Sequence, residues 1–167
     1  MLIKKDTDMK IFAACLLLLA MPLTAQSESS RWHEINDWLG AGFVQLSISF
    51  SDNSRKSFQV GIADDPAGKQ ILEFRYLDSR SNYCNSDGYR DVVITVNEKR
   101  VKMKSGCKRL AMAHFITYFP TTEKGREHVA ESFRNADRVS ARIQGYDLSF
   151  PTNGFEEAWG NYGGDAI

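Results

Sequence analysis

The stretch from Cys84 to Cys107 places the tightest constraint on how this chain can fold. It runs from Cys84-Asn-Ser-Asp-Gly-Tyr-Arg through DVVITVNEKRVKMK to Ser-Gly-Cys107. Val92, Ile94 and Val96 alternate with Val93 and Thr95, the period of two of a strand written in β-branched residues. Asn97-Glu98 is a short turn, weaker than Asn-Gly because only glycine takes positive φ freely. On the return strand Arg100, Lys102 and Lys104 point one way and Val101 and Met103 the other. One face of the hairpin is therefore buried, and the other is basic and wet. A cysteine at each end predicts a disulfide, Cys84 to Cys107. A crosslink closing a loop of this length is worth roughly 3–4 kcal/mol, against the ~5–15 kcal/mol by which a domain is stable.

The N-terminus supports that pairing by compartment. Lys4, Lys5 and Lys10 precede a mostly apolar run from Ile11 to Leu23, and Thr24-Ala25 offers a small residue before Gln26. This is the pattern of a secretory signal peptide over residues 1–25, with Met9 a second candidate for the true start. The apolar run is short for a permanent bilayer span. Cys15 leaves with the peptide, and an exported chain with one remaining cysteine pair reads as one disulfide. Removal takes three lysines and two aspartates from the 21 basic and 21 acidic residues, leaving 18 against 19. That balance argues against general nucleic-acid binding, which needs a basic excess. No polybasic cluster suggests a membrane surface, so no stable membrane insertion is expected after cleavage.

The mature chain reads as one domain over 26–159 with a flexible, Gly-rich tail over 160–167. Ser29-Ser30 caps a short N-terminal helix carrying Trp32, Ile35, Trp38 and Leu39 on one face. Trp32 and Trp38 either pack over a sheet end or form an exposed aromatic ledge for a partner. Eight alternating or apolar segments follow, near 43–50, 58–62, 72–76, 92–96, 100–104, 110–119, 139–144 and 146–150. The first three suggest an antiparallel meander, and together the segments predict an antiparallel sheet of about seven or eight strands. The run from Leu110 to Phe119 is apolar nearly throughout and should be a central strand buried on both faces. Thr121-Thr122 caps the principal helix, about 122–136, with Val129, Phe133 and Ala136 facing the sheet and Gly125 weakening its first turn. Phe155 and Trp159 sit on a short closing helical turn that plugs the core. The expected fold class is a β-rich α+β single domain.

Chemistry is sparse. His33, His114 and His128 are scattered and both mature cysteines are committed, so no zinc site is expected. GxSxG, HExxH and glycine-rich phosphate loops are absent from the sequence. Asp64-Asp65 and Glu156-Glu157 are sequence neighbours, which point apart and make poor acid/base couples. No catalytic residues, cofactor or metal are therefore expected. The polar loop from Asp78 to Gly88 carries Cys84 between Tyr83 and Tyr89. A tethered loop with two tyrosines and small polar residues has the composition of a recognition loop. The candidate partner-binding residues are Tyr83, Tyr89, Trp32 and Trp38. The plan of signal peptide, one disulfide and small β-rich domain resembles that of many periplasmic inhibitor and immunity proteins. The leading expectation is an exported, non-enzymatic module that binds another protein. It is periplasmic if the source is Gram-negative, and secreted otherwise. An envelope or surface structural protein is the runner-up, and a small hydrolase with an unrecognised site is third.

Overall fold

The computed structural model describes residues 31–38, 42–78, 88–110 and 113–163. The strands are β1 (Arg31–Asp37), β2 (Phe43–Ser49), β3 (Arg55–Asp64), β4 (Gln70–Asp78), β5 (Arg90–Val96), β6 (Lys99–Leu110), β7 (Ala113–Pro120), β8 (Arg138–Ile143) and β9 (Tyr146–Pro151). Two helices are described, α1 (Glu123–Arg134) and α2 (Phe155–Asn161). All nine strands form one antiparallel sheet in the order β1-β2-β3-β4-β7-β6-β5-β8-β9. Eight of them are the strands expected from the alternating segments. β2, β3 and β4 follow one another as the expected meander, whereas β7 pairs with β4 and so reverses the second run of strands. β7 is the middle strand of the nine, as its apolar run implied, and is buried throughout from Ile116 to Pro120, but it starts at Ala113 and not at Leu110, and His114 and Phe115 are only half-buried.

The ninth strand is a correction. The segment expected as an N-terminal helix is strand β1, paired with β2 at seven positions from Arg31↔Ser49 to Asp37↔Phe43. Its apolar spacing reads as a helical face. However, β2 would otherwise expose a whole row of unpaired N–H and C=O groups, and edge pairing outweighs a weak local preference. A second correction concerns β6, which does not stop at Lys104 but continues as one strand through Cys107 to Leu110. A third concerns the tail, since Gly160 and Asn161 complete α2.

The sheet coils until its ends approach, with β2 and β9 within 8 Å between Cα atoms. The Phe58 ring on β3 lies 5.2 Å from that of Tyr146 on β9, and the Lys56 ammonium donates to the Tyr146 hydroxyl at 2.8 Å. One face of every strand from β2 to β9 thus lines a single interior, including Val44, Phe58, Phe74, Ile94, Met103, Ile116, Val139 and Phe150. Burying each large side chain contributes ~1.5–3 kcal/mol. α1 closes the interior with Val129 and Phe133. Its start is fixed by Thr122, whose Oγ1 accepts from the Gly125 amide at 3.1 Å. Gly125 has a packing reason: a Cβ there would meet Thr122 Oγ1 at 2.9 Å and Val101 Cγ1 at 3.1 Å. Phe155 on α2 completes the plug at 5.4 Å from Phe133.

The β5–β6 turn places Asn97 at φ 42° and Glu98 at φ 66°. Both central residues are left-handed, as in the type I′ turn that matches strand twist. Glutamate pays a steric cost there that glycine avoids. Glu98→Gly should therefore stabilise the protein by about 0.5–1 kcal/mol. In thermal denaturation this reads as a melting point higher by roughly 1–4 °C for a chain of this size.

Candidate binding surface

The sheet is not continuous between β5 and β8. Only Thr95↔Arg142 and Val96↔Ala141 pair, with the Asn97 amide donating to the Ser140 carbonyl at 2.9 Å just beyond. Past Arg142 the β8–β9 chain reverses through Gln144 (φ 53°) and Gly145 (φ 80°), and the two strands diverge. The ladder on the other side of β5 decides which groups this leaves bare. In a two-residue hairpin the pair flanking the turn, Val96 and Lys99, is hydrogen-bonded, and bonded and non-bonded pairs then alternate. Ile94 and Val92 therefore bond to β6 through Val101 and Met103, and Asp91 and Val93 turn their N–H and C=O groups away, toward the gap. Among the described residues no strand pairs with Asp91 or Val93 on that side.

The gap holds a cavity of about 340 Å³. Val92, Ile94 and Ile143 supply its apolar lining, and Arg90, Arg142 and Gln144 the polar one. The Tyr118 hydroxyl also faces it, accepting from Gln144 Nε2 at 2.6 Å. Burial pushes the Tyr118 phenol above its ordinary range, while the Gln144 hydrogen bond and the charge of Arg90 pull the other way. A polar end and an apolar wall thus share one small slot.

Tyr89 stands at the entry to β5 on the outer face of the sheet, 51% exposed. Its ring lies over Gly106, where a Cβ would collide with it, and edge-on to Phe119 at 5.3 Å and 83°. The Tyr89 ring fills the space that a side chain at Gly106 would take, which is why β6 carries a glycine in mid-strand. Beside the ring is a second cavity of about 200 Å³, with Asp64, Ile71, Glu73 and Lys108 among its lining. Glu73 is 1% exposed, although its place in the alternation is outward. Its carboxylate accepts from Arg75 Nε at 2.8 Å and Lys108 Nζ at 2.5 Å. Neighbouring side chains and the coil of the sheet submerge this outward position. Period-two reading of Leu72-Glu73-Phe74 sees only an outward glutamate, and the Lys108 partner lies two strands away across β7.

The sequence candidates separate clearly. Tyr89 is exposed, as a recognition residue must be. Trp38 is not on a ledge: it is 1% exposed, packs on Phe133 at 5.7 Å and Phe155 at 5.1 Å, and donates from Nε1 to the Pro151 carbonyl at 3.1 Å. That ring belongs to the core because the chain turns inward after β1. On β1 the backbone of Trp32 is opposite Ile48 of β2. Tyr83 and Cys84 lie outside the described residues, and Cys107 sits half-buried within β6. His128 on α1 contacts the Val96 carbonyl at 2.9 Å, and His114 lies half-buried near the start of β7. Sequence reading missed both the β5–β8 gap and the Glu73 cluster. The gap had one available signal, the Gln144-Gly145 turn only three residues after Ala141.

A wider cleft, about 750 Å³, lies between the end of α1 and the turn into α2. Its rim is bridged by Arg134, which pairs with Glu131 at 2.7 Å and Glu156 at 3.2 Å. Among the described residues no group of three or more His, Cys, Asp or Glu side chains is placed to hold a metal ion. No described helix is long and apolar enough to cross a membrane. The chain matches no family model, and neither a curated protein nor a solved structure proves similar to it.

The Glu73 cluster yields a stability test. A buried carboxylate stripped of its cations costs about 3–5 kcal/mol. Arg75→Ala combined with Lys108→Ala should lower the denaturation free energy by that order, and adding Glu73→Leu should restore most of it. Urea titration of the three proteins reads the difference, and an equal loss in the double and triple variants would contradict it.

Proposed function

We propose that this chain is an exported, non-enzymatic module that binds another protein, in the manner of periplasmic inhibitors and immunity proteins, and that it does so through the start of β5. The observation that carries this reading is where the exposed apolar side chains fall. Tyr89 at 51% and Val93 at 49% are two of three exposed large hydrophobics among the described residues, and they share the outer face at the start of β5, with Asp91 between them. Isolated exposed apolar residues are ordinary, but an exposed aromatic held rigidly against the sheet has the composition of an interface anchor. Residues 1–25 supply the export signal in this reading. A Gram-negative source would place the protein in the periplasm.

The Cys84–Cys107 disulfide is part of the proposal. Continuing the β5–β6 register past Arg90↔Ser105 sets Tyr89 opposite Gly106 and Gly88 opposite Cys107. The connection from β4 therefore arrives at Cys107, with Cys84 four residues before Gly88. A bond there would anchor the loop next to Tyr89. Free-thiol titration of denatured mature protein should find none before reduction and two after. Two reactive thiols without reductant would remove the crosslink from this account.

Affinity capture from cell envelope, with the mature domain as bait, is the route to a partner. Tyr89→Ala should then weaken binding by ~2 kcal/mol or more, roughly thirtyfold in Kd. The ring also packs on Phe119, so melting must be followed beside affinity. An unchanged Kd with the fold intact would move the interface away from Tyr89.

A further inference from the structure

We infer that β5 accepts an added strand: an extended segment of an acidic partner protein, hydrogen-bonded to the outward rungs of Asp91 and Val93. This rests on the protein-binding reading above and specifies its mode. Three observations carry it.

The first is the pair of rungs that no strand among the described residues occupies. A strand interior offers two N–H and two C=O groups in regular array, and the gap left by β8 is where a further strand would lie. Strand addition at such an edge gives affinity through the main chain, and alternate side-chain pockets give selectivity.

The second is the slot. A strand laid in the gap sends alternate side chains to opposite faces. Those pointing inward meet Val92, Ile94 and Ile143 in the 340 Å³ cavity, which suits a β-branched side chain.

The third is charge. Side chains pointing outward meet Arg142 on β8 and the exposed Lys102 of β6, one strand further on. Arg90 stands at the slot mouth and makes no ion pair with a described residue. Asp91 is engaged by Lys104 at 2.9 Å, and Asp147 holds Arg142 only at 3.7 Å with both side chains well exposed. Cations thus prevail along the gap, and the fitting occupant alternates apolar and acidic residues.

The test uses the mature protein and a fluorescein-labelled, capped hexapeptide of alternating valine and aspartate. Fluorescence anisotropy should show saturable binding. Val93→Pro is the decisive variant. Proline removes an N–H that points into the gap and leaves the β5–β6 ladder whole, so binding should fall at least about tenfold with melting preserved. A peptide of alternating valine and lysine should bind at least as poorly. If the proline variant does not fold, peptides N-methylated on one edge and then the other carry the same test on the wild type. One of the two should lose binding about tenfold. The inference is overturned by any of four results: no binding of the acidic peptide up to about 1 mM, undiminished binding to Val93→Pro, equal binding of the lysine peptide, or equal binding of both methylated peptides to the wild type. It is also overturned if light scattering finds a wild-type dimer that Val93→Pro dissociates, since the occupant would then be a second copy. A captured envelope partner that is sensitive to Tyr89→Ala but indifferent to Val93→Pro would leave the protein-binding reading standing and remove strand addition alone.

Discussion

The pairing of β4 with β7 joins the molecule. β1 to β4 form one run of hairpins, β5 to β7 another, and only the Phe74↔Tyr118, Arg75↔Thr117 and Tyr76↔Ile116 rungs stitch them into one sheet. The inward side chains of those rungs, Phe74, Tyr76, Ile116 and Tyr118, all belong to the common core. Without that seam neither run could curl its apolar face over the other. Small domains must bury a large share of their surface to be stable, and here coiling one sheet does what two stacked sheets do elsewhere. Phe133 and Phe155 then seal the interior at the end where the helices sit.

The seam has a polar counterpart on the opposite face. Thr117 is buried there, and Glu73 is held between Arg75 and Lys108. A buried ion cluster is weak evidence for stability, because desolvation offsets much of the attraction. It does fix relative position: the Lys108–Glu73 contact ties β6 to β4 over the top of β7. It lies next to Tyr89, so the surface proposed to meet a partner rests on a braced part of the sheet.

Period-two patterning made eight strands legible because their alternation was strong and their turns well marked, from Asp52-Asn53 to Gln144-Gly145. The helix α1 was legible through Thr122 and the Val129/Phe133 spacing. What local pattern could not supply was spatial order. Nothing in Leu72–Tyr76 or Leu110–Phe119 says that these two should be neighbours. The β1 segment was misread for the same reason, since its conformation answers the bare edge of β2 and not its own composition. On the candidate surface, Tyr89 was legible from its place beside Cys84. The bare rungs of Asp91 and Val93 were not, because they exist only where β8 leaves the sheet.

The seam also orders events in time. Each hairpin closes over a few residues and can form within microseconds, whereas β4 must wait for β7, some forty positions further along the chain. Contacts so separated in sequence slow folding, since chain entropy is lost before they reward it. Until β7 arrives, β4 is a long apolar edge carrying Leu72, Phe74 and Tyr76. A chain emerging vectorially during synthesis presents that edge well before residues 113–120 appear. The interval between them is the period in which this protein is most exposed to mispairing, and in which a holding chaperone would matter most.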